Sequence, residues 1–139
     1  MNARPTLKPE DAKSRIQRLV DESTAALGGR WVAEEEEPRL GTCVNEWGEG
    51  EGVKYTYIKR RAEHGDTERD IATLERLWQS KGLDTARFKD GYGTTTGLNG
   101  SGAAAQGVGL YSLDNGDSVS GTSWCAAGDY GEMRDRGEE

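Results

Sequence analysis

Two cysteines, Cys43 and Cys125, and a single histidine, His64, are the residues of this chain best suited to chemistry. A zinc site gathers thiolates and imidazoles in short pairs, and neither a CxxC pair nor a second histidine is present. Each cysteine lies beside Trp and Gly at a predicted strand end: Cys43 follows the first strand, and Cys125 closes the last, "DSVSGTSWC". Both strands bound the same predicted sheet. The simplest reading is a structural disulfide. Two free buried thiols and a functional thiol are the alternatives. A disulfide implies an oxidising compartment, hence a secreted or cell-surface protein. His64, in "RRAEHGDT", has no nucleophile or second ligand near it in sequence and reads as a solvated loop residue.

Three further stretches invite a chemical reading. "GYGTTTGLNGSG", Gly91 to Gly102, is loosely like a phosphate cradle. It lacks the Lys-Ser/Thr pair of a P-loop, and no helix follows to supply amide donors, so it reads as a polar strand or loop. The run Glu34 to Glu37 cannot converge on one cation if extended, because alternate side chains face opposite ways; it reads as a solubilising edge. Asp114-Asn115-Gly116-Asp117 lacks the further oxygen ligands of a calcium loop and reads as a hairpin turn. No nucleophile elbow and no HExxH motif occur. The sequence therefore predicts no catalytic residue, no phosphate, nucleotide or metal site and no cofactor, and a protein that is not an enzyme.

The charge balance narrows the partners. A net charge of −7 speaks against nucleic acid, since phosphate binding needs clustered Lys and Arg. Lys59-Arg60-Arg61 is the nearest thing to a basic patch and reads as solvated. No apolar run reaches membrane-spanning length, and the start carries no signal peptide. Residues 1–9 read as a flexible N-terminal stalk, residues 10–126 as a single domain, and residues 127–139 as a disordered acidic tail. Only 7% of the chain is aromatic, so each aromatic weighs heavily in a small core.

The elements that must position these residues follow from periodicity. "PEDAKSRIQRLVDESTAALGG" places Ala12, Ile16, Leu19, Val20, Ser23 and Leu27 on one helical stripe, ending at Gly28-Gly29. "RWVAEEEE" predicts a short strand ended by Pro38. "GVKYTYIKR" sets Val53, Tyr55 and Tyr57 against Lys54, Thr56 and Ile58 as a strand with one apolar face. "GDTERDIATLERLWQSKG" predicts a second helix, capped by Asp66 or Thr67, with Ile71, Leu74, Leu77 and Trp78 buried. "LDTARFKD", "QGVGLYSL" and "DSVSGTSWC" are the remaining strands, the last two joined by the Asn115-Gly116 hairpin signal. The order α-β-β-α-β-β-β predicts an α+β fold, a two-layer sandwich with two helices on one face of an antiparallel sheet. The opposite face, with Lys54, Thr56, Thr85 and Arg87, is left for a partner.

The Gly-Gly stop before Trp, the cysteine after the first strand, "GEGVKYTYIKR", "LERLWQSKGLD" and the closing "GTSWC" together resemble small secreted proteins and lipoproteins of actinomycetes, such as the mycobacterial LppA-like group. The likeness spans roughly residues 10–126 and carries over no catalytic residue. The lipobox cysteine of such lipoproteins is not found near the start. The expectation is a non-enzymatic secreted or surface-anchored binding domain, the soluble part of a lipoprotein, with a protein or cell-envelope component as partner. A lipid anchor outside this chain would supply its membrane contact. The alternative is a small acidic inhibitor or immunity-type protein steered onto a basic partner. Binding is assigned to Trp47, Tyr92 and Asn99, in two glycine-rich loops that border the open sheet face. Trp47 is either an interface anchor or a cover for the disulfide.

Overall fold

The structure, a computed structural model, describes residues 7–44, 51–89, 95–113, 116–128 and 130–135. Among these residues it is an α+β chain with an antiparallel sheet and three helices. Helix α1 (Pro9–Leu27) starts on Pro9, with Glu10 and Asp11 in its first turn. It stops at Gly28, whose φ of 75° favours a residue without Cβ and whose N–H bonds Thr24 O. Its stripe of Ala12, Ile16, Leu19, Val20 and Ser23 is buried as the spacing predicts.

Strands β1 (Val32–Ala33) and β2 (Arg39–Val44) both pair with one side of β3 (Glu51–Arg61). Of the predicted first strand only β1 is extended, ending before the four glutamates, and β2, beyond Pro38, was not predicted. Cys43 lies within β2, opposite Gly52, rather than after a strand. Glu34 to Glu37 are exposed, and three of them hold cations: Glu34 to Arg60, Glu35 to Arg39 and Glu37 to Lys13.

Helix α2 (Thr67–Ser80) is capped by Asp66, whose side chain accepts from the N–H of Arg69 at 3.1 Å. Strands β4 (Leu83–Lys89), β5 (Thr95–Gly102), β6 (Ala105–Leu113) and β7 (Gly116–Thr122) follow as successive antiparallel neighbours. β7 then returns to pair with β3. Two residues, β8 (Ala126–Ala127), continue that side of β3, and α3 (Tyr130–Asp135) ends the described chain. Much of the glycine-rich crossing is therefore strand β5. Glycines recur there because other groups lie against the backbone: a Cβ on Gly100 would come within 3.0 Å of the Trp78 ring.

Register decides the faces. Gly100, Val108 and Gly121 are partners across β5, β6 and β7. A Cβ on Gly121 would strike Ile16 of α1, while Gly100 meets Trp78 of α2, so both helices cover the same face. Ile16, Tyr55, Leu74 and Trp78 are all buried there. Trp78 Nε1 donates to Ser23 Oγ at 2.9 Å, and Ser23 donates to Leu19 O, so the indole's polar atom is satisfied within the core.

Four sequence expectations need correction. Thr85 and Arg87 lie on the helix face: Thr85 pairs with Gly100 and Arg87 with Leu98, both core-facing. Accordingly Gln79 Nε2 donates to Thr85, and Arg87 bonds Glu75 of α2. Arg61 is buried rather than solvated. The predicted tail includes a helix, and Met133 of α3 is 4% exposed within the core. Leu7, assigned to the stalk, packs on that core and accepts the N–H of Ala127. A single apolar residue among polar neighbours has no periodicity, so neither Leu7 nor Met133 registers in a helical or strand pattern.

Candidate binding face and buried charge cluster

The open sheet face carries Lys54 and Thr56 as expected, and its centre carries no charge. On β5 to β7 it consists of Gly97, Asn99, Ser101, Gly107, Gly109, Tyr111, Ser118, Ser120 and Thr122, by the alternation that buries Leu98, Val108, Leu110 and Val119. Asn99, Gly107, Gly109, Tyr111, Ser120 and Thr122 border a trough of about 220 Å³. The Tyr111 ring lies across Gly109, where a Cβ would come within 2.6 Å of its hydroxyl. Phe88 likewise lies across Gly97, and the two ring centroids are 5.5 Å apart, tilted by 46°. Tyr111 OH donates to Asn99 Oδ1 at 3.4 Å.

Asn99 is exposed, in strand β5 rather than in a loop. Trp47 and Tyr92 lie outside the described residues. The strand ends flanking Trp47 pair Val44 with Glu51, and those flanking Tyr92 pair Lys89 with Thr95. The first pair belongs to the end of the sheet that holds the disulfide, the second to the end that holds Arg61 and Asp117.

Cys43 and Cys125 form a disulfide, with Cα atoms 5.8 Å apart. It passes over β3 at Gly52, where a Cβ would fall 2.5 Å from Cys125 Sγ and 3.4 Å from Cys43 Sγ. The bridge thus ties β2 to the segment leading into β8 across the strand between them, and it needs a glycine beneath it. This disulfide suits an oxidising setting. No described helix is long and apolar enough to cross a membrane.

At the opposite end of the sheet lies a charge cluster that sequence reasoning missed. Arg61 is 7% exposed. Its Nη2 donates to Asp70 Oδ2 and Asp117 Oδ2, both at 2.6 Å, its Nε to Asp117 at 3.0 Å, and its Nη1 to Gly28 O at 3.1 Å. Its guanidinium also sits 4.6 Å from the Trp31 ring centroid. Burial pushes the Asp117 carboxyl up, but hydrogen bonds from Arg61 and His64 outweigh it and hold the group below the usual carboxylate range. Burial alone would lower the Arg61 pKa; the bonds to Asp117 and Asp70 raise it instead. Gly65 is required by this packing, because a Cβ there would lie 2.7 Å from Asp70 Oδ2.

His64 is therefore not merely solvated: its Nδ1 is 2.8 Å from Asp117 Oδ1. Ser112 Oγ lies 3.4 Å from the same nitrogen. A Ser–His–Asp relay needs the acid on one ring nitrogen and the hydroxyl on the other, so this geometry orients His64 without activating Ser112. One signal was available in sequence: Asp70 falls on the buried stripe of its helix, one turn before Leu74, where a carboxylate demands a cation. Among the described residues no group of three His, Cys, Asp or Glu side chains is placed to hold a metal ion. Comparison with protein-family models, curated proteins and solved structures finds no match to this chain.

Proposed function

We propose that this chain is an extracytoplasmic, non-enzymatic binding domain, secreted or surface-anchored in the manner of the actinomycete lipoproteins it resembles, and that it takes a saccharide of the cell envelope on its open sheet face. The observation that carries the reading is the uncharged trough beside Tyr111, where a half-buried ring lies flat on Gly109 within reach of Asn99, Ser120 and Thr122. A ring laid flat offers a face to the C–H groups of a pyranose, and amide and hydroxyl side chains match its hydroxyls in both donor and acceptor sense. The same face suits a protein partner less well, because the core of a protein interface is apolar, and this one is paved with Gly, Ser, Thr and Asn. The disulfide supports the compartment.

The test is an amide-shift titration of the full chain with soluble peptidoglycan-derived oligosaccharides. Saturable shifts at Asn99, Gly109, Tyr111 and Ser120 are expected, with Tyr111→Ala weakening binding by about tenfold, the scale of one aromatic contact. Unchanged affinity in Tyr111→Ala at unchanged melting temperature would refute the assignment.

A further inference from the structure

A second cavity, independent of the open face, lies where the Gly28-Gly29 stop of α1 meets the end of β3 and the start of α2. Its volume is about 570 Å³, within the range of small-molecule sites. Arg30, Arg60, Arg61 and Arg69 line it against one carboxylate, Glu63, in a chain whose net charge is −7. Arg60 is neutralised by Glu34, and Arg61 by Asp70 and Asp117. Arg30 and Arg69 have no carboxylate in ion-pair distance among the described residues. Two arginines, from the loop after α1 and the first turn of α2, therefore line one cavity without an ion-pair partner among the described residues. Arg61 and its two aspartates fix the wall behind them, and Gly28, Gly29 and Gly65 keep the rim clear of side chains.

We infer that this cavity binds a phosphoryl group. A single arginine fork satisfies a carboxylate through its two oxygens. A phosphoryl group presents three terminal oxygens and can accept from two forks at once, which is what Arg30 and Arg69 supply from different elements. The volume leaves room for the organic moiety that carries the phosphate. The four arginines are scattered singly or in pairs along the chain, so the basic patch exists only in the folded protein.

The test uses the full disulfide-bonded chain at fixed ionic strength, followed by amide shifts and calorimetry. Inorganic pyrophosphate is the soluble probe, tricarballylate the carboxylate control, and phosphatidic acid vesicles against phosphatidylcholine vesicles the headgroup arm. Saturable binding of pyrophosphate is expected, with shifts at Gly28 to Arg30 and Arg61 to Arg69. Arg30→Gln with Arg69→Gln should weaken it at least about tenfold at unchanged melting temperature. Binding to phosphatidic acid vesicles alone, lost in the same double variant, also supports the site and assigns its phosphoryl group to a lipid headgroup. Tricarballylate binding as tightly as pyrophosphate, an unaffected double variant, or no saturable binding to either phosphoryl probe would overturn the proposal.

Discussion

Replacing Arg61 by Met keeps a long side chain over Trp31 and removes the cation shared by Asp70 and Asp117. Both carboxylates are 4% exposed, and each approaches the same Arg61 nitrogen at 2.6 Å. Their oxygens are therefore no more than about 5.2 Å apart, and at an effective dielectric of about 20 their repulsion would be roughly 3 kcal/mol once the cation is gone. Breaking a buried pair by deleting one partner costs about 3–5 kcal/mol, the same scale. For a chain of this size each kcal/mol moves the melting temperature by about 3–5 °C, so Arg61→Met should melt about 10–20 °C below the parent at pH 7. The pH dependence gives a sharper test. In the parent, Asp117 has a folded pKa below its unfolded value near 4, so its contribution is present above that value and is lost as pH falls through the folded one. In the variant the orphaned carboxylates are stabilised by taking up protons, so the gap from the parent should narrow between pH 7 and about pH 4.5. Differential scanning calorimetry across that range measures it. Equal stability at pH 7, or a gap that stays constant as pH falls, would refute the account of Arg61 as a shared buried counter-ion.

Two further substitutions probe the rest of the frame. Cys43→Ala with Cys125→Ala opens a loop of 82 residues and should cost about 4.5 kcal/mol on the chain-entropy estimate, read from chemical denaturation; a loss under about 1 kcal/mol would show that the bridge constrains little. Trp78→Ala empties the centre of the core and should cost about 3–5 kcal/mol. Trp78→Phe, which gives up the bond to Ser23 but keeps an aromatic ring, should cost less than half as much; equal losses would place the indole's contribution in that hydrogen bond.

Helices α1 and α2 were legible, because each carries its own punctuation. Pro9 with its acidic turn, the Gly28 stop and the Asp66 cap are local signals, and the stripes of Ile16 and Trp78 need only a 3.6-residue period. The disulfide was legible for a different reason: two cysteines beside predicted strands, with no metal-ligand spacing, leave few other uses. The working face was read incompletely. The alternation in "GVKYTYIKR" placed Lys54 and Thr56 correctly, yet Thr85 and Arg87 went to the wrong side, since the face of an isolated polar strand depends on its register with β5. Gly97 fell in a stretch read as a polar strand or loop and Gly109 in a predicted strand, and neither reading showed that Phe88 and Tyr111 lie across them.

Composition and periodicity by themselves determined an acidic α+β chain with two amphipathic helices, a strand with one apolar face and a cysteine pair available for bridging. Those properties rest on neighbours within a few turns or residues, where chain geometry dictates which side chains share a face. Only the tertiary structure decided that Arg61, Asp70, Asp117 and His64 form one buried network, and that Arg30 and Arg69 face one cavity. Arg61 and Asp117 are 56 residues apart in the chain. The β3–β7 register sets them opposite each other, and a charge written into a polar stretch shows its role only when that pairing removes it from water.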